Sequence, residues 1–244
     1  MRDTFLRSLI DIATRPYLAA GTFAWRFARG KLGGDPAFTA LLRDKLLPHH
    51  PDGLRLLDLG CGQGLLCAWL HSAQQRHSRG EWPSGWGPAP RLTSYTGVEL
   101  MPRDIARARA ALAEHGSTAT LTQGDMCTTP FPVSDAVVIL DVLHYVDYSA
   151  QDEVLHRVRD CLSPHGTLLL RVGDAEGGWR FRVSNWVDHA VTFVRGHRLS
   201  RLYCRPLRAW IAALEKLGFV VTPIPMSQGT PFANVLLKAQ RSPG

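Results

Sequence analysis

Three glycines spaced two apart, Gly60, Gly62 and Gly64, follow the acid Asp58, which itself follows the apolar residues Leu56 and Leu57. Leu65 and Leu66 then open a helical apolar pattern. A buried strand, a tight turn and a helix start are the physical reading of that order. Glycine lets such a turn take positive φ and lets a ligand reach the backbone. The first amides of the helix and the positive end of its dipole then face the ligand. A dinucleotide turn requires Gly-x-Gly-x-x-Gly, its third glycine serving close helix–strand packing. Here the residue three beyond Gly62 is Leu65, which argues against a pyrophosphate lying over the helix. Asp58, two residues before the first glycine, suits a ligand that carries positive charge.

With this acid-x-Gly-x-Gly-x-Gly pattern the chain resembles the class I S-adenosylmethionine-dependent methyltransferases. The resemblance implies that Asp58, Gly60, Gly62 and Gly64 bind S-adenosyl-L-methionine. Glu99 ends the second strand, Tyr95-Thr96-Gly97-Val98-Glu99, and an ionised carboxylate there offers acceptor sites for both ribose hydroxyls. The family pattern further implies that Asp125 takes the adenine amino hydrogen and that Met126 covers the ring. Asp141, His144 and Tyr145 follow the apolar run Val137–Leu140, at the strand end where open α/β sheets bind ligands. They resemble the fourth motif of small-molecule methyltransferases and lack the Asn/Asp-Pro-Pro-aromatic form used on nucleobase or glutamine nitrogens. Neutral imidazole titrates near working pH, so His144 is the candidate base for a hydroxyl acceptor. Asp141 is expected to orient His144 or to hold the methionine part of the donor, and Tyr145 to bind substrate.

The elements that must position these residues can be read along the chain. Leu6, Leu9, Ile10 and Ala13 make a helical stripe that ends near Pro16. An aromatic segment follows with Tyr17, Phe23, Trp25 and Phe27, candidates for a substrate wall, and Gly30–Pro36 reads as the turn that closes it. Phe38, Leu41, Leu42 and Leu46 form a second stripe. Residues 1–50 are thus expected as a helical lid, ahead of a methyltransferase domain over 51–244. After the glycine turn a helix is predicted to about His71, and residues 72–92 as an extended loop whose Trp82 and Trp86 pack back on the body. Pro102 opens a helix. Thr120–Gln123 reads as the third strand, and Ser163–Gly166 as the turn before a fifth strand, Thr167–Val172. A helix near Leu207–Leu217 stops at Gly218, and Phe219–Thr222 and Ala233–Ala239 supply the last strands. The implied fold is an α/β, Rossmann-like seven-stranded sheet with an antiparallel last strand. An insertion at 174–205, rich in tryptophan and arginine, suits an amphipathic helix with a basic face, compatible with a membrane surface or an acidic carrier protein.

Composition narrows the class. The 244 residues, 45% hydrophobic and 20% charged, are those of a globular domain with a full core. No apolar run approaches the ~20 residues that span a bilayer. Arg2, Asp3 and Arg7 precede no long apolar core, so no secretion signal is read and the cytoplasm is expected. Five scattered cysteines fit reduced thiols, and none of the ten histidines stands in zinc-ligand spacing, so no metal is expected. A net charge of +7 favours acidic partners.

The opening helices, the Gly-Lys-Leu-Gly-Gly-Asp-Pro segment and the basic insertion are also similar to a bacterial subgroup associated with aryl-polyene pigment synthesis. That implies a phenolic or polyene acyl acceptor, free or bound to an acyl carrier protein; transfer to an oxygen is expected, whereas an amine or carboxylate acceptor would need no base. A nucleic-acid methyltransferase would use the positive charge, but no RNA-binding module is recognisable. A non-catalytic S-adenosylmethionine-binding protein shares the fold. A nicotinamide oxidoreductase ranks last on glycine spacing. Oligomeric state is not encoded in any pattern.

Overall fold

The computed structural model describes residues 2–173, 202–226 and 234–242. Its seven strands are β1 (Leu54–Leu59), β2 (Leu92–Glu99), β3 (Ala119–Gln123), β4 (Ser134–Leu140), β5 (Leu162–Gly173), β6 (Phe219–Pro225) and β7 (Asn234–Arg241). They form one sheet in the order β3-β2-β1-β4-β5-β7-β6. The first five are mutually parallel, and β7 runs antiparallel between β5 and β6. This is the expected architecture.

Strand alternation sorts the side chains into two cores. Leu54, Leu56, Ala136, Val138 and Leu169 join one apolar cluster, while Leu57, Leu59, Val137, Ile139, Leu168 and Leu170 join the other. Successive residues point to opposite faces, so a two-sided core requires continuous apolar runs. The first face is covered by α1 (Arg2–Thr14), a 3-10 turn (Arg15–Ala20), α2 (Thr22–Gly34), α3 (Pro36–Arg43) and α4 (Leu65–Ser78), together with α5 (Pro102–Ala111). On the second face lie α6 (Tyr148–Cys161) and α7 (Leu207–Lys216). By this parity Asp58 and Arg171 fall on the face covered by the N-terminal helices.

Three local expectations are corrected. Gly30–Gly34 is not a turn: α2 runs through it and the reversal shrinks to Asp35. Ala28 and Leu32 bury on the core, which outweighs a helix penalty of about 1 kcal/mol per glycine. The helix after the glycine turn continues past His71 to Ser78, because Ser72 and Ala73 are buried and no breaker precedes Gly80. Ser163–Gly166 is an outward bulge within β5, with Leu162 paired to Ser134 and Thr167 to Ala136. Trp82 and Trp86 pack back as expected, edge-on to each other and to Phe5 of α1. The basic insertion, up to residue 201, lies outside the described residues, as does its expected helix.

Candidate active site

The glycine turn is built as the sequence requires: Gly60, Gly62 and Gly64 have φ of 73°, 55° and 71°. Their roles differ. A Cβ on Gly60 would sit 2.6 Å from Val142 Cγ1, and one on Gly64 2.7 Å from Leu112 Cδ1. A Cβ on Gly62 would meet nothing within 4 Å. Gly60 therefore lets the turn close on the loop after β4, Gly64 lets α4 close on α5, and Gly62 borders open space. Gly60→Ala is expected to cost about 2–5 kcal/mol, from left-handed backbone and overpacking. Gly62→Ala carries the backbone cost alone, about 1–2 kcal/mol, with its larger loss in donor affinity. Urea melts and calorimetry with S-adenosylhomocysteine separate the two; equal stability losses would refute the division of roles.

Glu99 is buried at the end of β2, where Oε2 accepts the Gly62 N–H at 2.8 Å and Oε1 the Met101 N–H at 2.8 Å. The turn thus aims this carboxylate. Asp58, one strand over, is buried and accepts the Tyr95 hydroxyl at 2.6 Å. Burial pushes its pKa up to about 7; the Tyr95 hydrogen bond opposes the rise and the charge of Glu99 adds to it. Gly124 N–H bonds the Glu99 carbonyl at 3.0 Å, which sets the β3 exit beside β2. There Asp125 is exposed and its Oδ1 accepts the Cys127 N–H at 2.8 Å, while Met126 packs half-buried on the second core. Arg157 of α6 holds that loop by donating to the Met126 and Cys127 carbonyls at 2.8 and 2.7 Å, and to that of Thr129.

Beyond β4, Asp141 takes a left-handed φ of 57°, a conformation that aspartate tolerates better than most residues. Its carboxylate hydrogen-bonds Arg171, with Nε donating at 2.8 Å, and Lys31 Nζ lies 3.9 Å away. The Asp141 carboxylate is thus held by Arg171, and its charge also acts on His144. His144 follows in a short 3-10 turn, its ring 4.3 Å from that of Tyr145. Burial lowers its pKa below the ordinary histidine value, and Asp141 partly offsets this. The neutral, proton-accepting form is favoured. The His144 carbonyl accepts the Tyr203 N–H at 2.9 Å, which ties the return limb of the insertion to this turn. Gln151, fully buried, donates to both Val146 and Tyr203 carbonyls and accepts from Arg205.

The Gly60–Val142 contact and the Glu99 bonds bring Asp58, the glycines, Glu99 and the Asp141–Tyr145 turn to one carboxyl edge of the sheet. Asp125 and Met126 adjoin it through Gly124. Of the aromatic candidates for a substrate wall, Tyr17 is buried and donates its hydroxyl to the Gln63 carbonyl at 2.8 Å, supporting the turn from below. Phe23 is exposed and stacks on Phe27. Sequence reasoning missed Arg171, Asp35, Tyr95, Arg157 and Gln151. A lone charge in Thr167–Val172 and an Asp-Pro helix start were the available signals for the first two.

The edge offers backbone amides, the buried carboxylates of Asp58 and Glu99, and an apolar flank. Gly62 supplies the open cradle. These residues fit a nucleoside that carries positive charge, and with the strand order they define the class I methyltransferase fold. In sequence, the methyltransferase-domain family matches residues 31–224, and the chain belongs to that family. No curated protein matches the chain in sequence. Solved structures share the fold at low identity. The mitomycin 7-O-methyltransferase MmcR is 21% identical with a TM-score of 0.58, covering 92% of this chain and 60% of its own. The pyocyanin biosynthetic protein PhzM is 19% identical with a TM-score of 0.61, covering 93% and 61%. The chain thus spans under two thirds of both. Magnesium protoporphyrin IX methyltransferase (ChlM) from Synechocystis PCC 6803, solved with bound SAH, is 20% identical with a TM-score of 0.59, covering 99% and 98%.

Asp58 gives a pH test. Its folded pKa of about 7 exceeds the unfolded value of ~3.9, so the folded state holds the extra proton between them. Stability therefore falls as pH rises from about 4 to about 7 and is level above. A cationic donor favours ionised Asp58, so S-adenosylmethionine affinity is expected to fall about tenfold per pH unit below about 7. In Asp58→Asn that slope disappears. Calorimetry across pH 5.5–8 checks this, and a flat wild-type profile removes Asp58 from the donor site.

Proposed function

We propose that the protein methylates a hydroxyl oxygen on a small or carrier-bound aromatic or polyene acceptor. The observation that carries this reading is the proton-accepting His144 beside Tyr145, on the turn that Val142 packs against Gly60. The bound donor supplies a methyl group on a positively charged sulfur. Asp58 balances the donor's charge, Glu99 takes the ribose hydroxyls, and Asp125 with Met126 hold the adenine. Asp141 stands at the methionine end. His144 would take the hydroxyl proton as the oxygen bonds the methyl carbon and the carbon–sulfur bond breaks, leaving the neutral thioether S-adenosylhomocysteine; Tyr145 would orient the acceptor, and alignment would supply much of the remaining rate. Residues 1–50 serve as a helical lid on the 51–244 domain. The family match, and O-methyl transfer in the name of one structural neighbour, support this reading. The likeness to the aryl-polyene subgroup suggests the acyl acceptor.

The test is incubation with methyl-labelled S-adenosylmethionine and three acceptor sets: free phenolic acids, the same acyl groups on an acyl carrier protein, and fractionated cell extract. Label in an acid-stable methyl ether is expected. Label on nitrogen or carboxylate alone, or turnover only with added nucleic acid, overturns the assignment. Equal rates on free and carrier-bound acyl groups remove the carrier.

A further inference from the structure

One guanidinium joins two parts of the molecule that lie far apart in sequence. Arg171, in β5, is 1% exposed at its side chain and lies on the face covered by the N-terminal helices. Its Nη1 and Nη2 donate to the two Asp35 oxygens at 2.5 and 2.7 Å, and its Nε donates to Asp141 at 2.8 Å. Asp35 in turn caps α3 by accepting the Ala37 N–H at 3.0 Å, and it meets Lys31 of α2 at 2.9 Å. The same carboxylate is thus the hinge point between α2 and α3 and a partner of Arg171. Asp141 is the non-glycine residue of the β4 exit in left-handed backbone, and such a conformation persists only where its surroundings over-determine it. Only arginine has the planar fork that satisfies two carboxylates at once; a lysine point charge does not.

We propose that Arg171 is a positioning residue that couples the N-terminal helices to the methyl-donor site, holding Asp141 in place only while Asp35 of the α2–α3 corner is clamped. Donor binding and docking of α2 and α3 are then one cooperative event: each favours the arrangement of Asp141 that the other requires. Residues 22–43 become part of the donor site without touching the reacting atoms. The proposal rests on the reading of Asp141 as a donor-facing residue.

The test uses the full chain and S-adenosylhomocysteine, so no acceptor is needed. Hydrogen exchange is measured with and without this ligand, and its affinity is measured by calorimetry for wild type, Asp35→Asn, Arg171→Lys and Asp141→Asn. In wild type, saturating ligand is expected to slow exchange of amides in 22–43 at least tenfold. Asp35→Asn and Arg171→Lys are expected to bind about tenfold more weakly and to lose that ligand-dependent slowing, even well below their melting temperatures. A merely structural ion pair would lower the melting temperature and leave the slowing intact. Wild-type amides in 22–43 that ignore the ligand overturn the coupling, with no variant having to fold. Wild-type affinity in Asp35→Asn, with weakened Asp141→Asn, overturns the coupling alone. Wild-type affinity in Asp141→Asn overturns the coupling together with the donor-facing role of Asp141.

Discussion

Arg171→Met is expected to destabilise the protein by about 3–5 kcal/mol, because it leaves two carboxylates without their buried counter-charge. Asp35 and Asp141 both bond the guanidinium, and Asp35 is itself largely buried. Methionine preserves most of the volume, so the loss reads the charge rather than a cavity. The figure does not measure what the pair contributes, since an apolar replacement of all partners can be neutral. Urea melts at constant ionic strength check it. The pH dependence supplies an independent sign. Burial alone would raise the Asp35 pKa, but Arg171 and then Lys31 hold it well below the ordinary carboxylate range. The stabilisation is therefore complete above about pH 4 and is lost as pH falls through the depressed folded value. Wild type should lose stability steeply in acid, whereas Arg171→Met should lose little more than it has already lost at pH 7. A variant within 1 kcal/mol of wild type at pH 7 would contradict the geometry of the cluster.

His144→Ala is expected to lower turnover on a hydroxyl acceptor about 10²- to 10⁴-fold, the range for a positioned general base. Affinity for S-adenosylhomocysteine should change less than twofold, because the ring of His144 is assigned to the acceptor and Asp141, on the same turn, keeps its bond to Arg171. The imidazole is neutral at working pH because burial disfavours its charged form, with Asp141 pulling the other way. The acid limb of kcat against pH should then lie below the ordinary histidine value, and it should vanish in the variant. Turnover that survives the substitution, with the acid limb unmoved, would remove His144 from the chemistry. Because the His144 carbonyl bonds Tyr203, a circular-dichroism melt of the variant should accompany the kinetics.

Much of this protein was legible before folding. The glycine spacing demanded three positive-φ residues, and three are present. Continuous apolar runs demanded strands covered on both faces, and β4 has Ala136 to Ile139 fully buried. Acids ending β1 and β2, and the polar turn after β4, were placed by strand order alone. Such features depend on neighbours a few residues away, where backbone sterics and side-chain period are decisive. Local signals failed where packing outweighed them: Gly30–Gly34 reads as a turn, but burial of Ala28 and Leu32 keeps it helical.

Only the tertiary structure decided who partners whom. Arg171 and Asp35 are 136 residues apart, and nothing near either specifies the other. Their meeting follows from which helices cover which face of the sheet. Likewise, the proton affinity of Asp58 is set by burial beside Tyr95 and by the charge of Glu99, 37 and 41 residues away in sequence. Elements and their inward faces are encoded by short-range pattern; pairings between faces, and the electrostatics that result, come from the closing of the whole core.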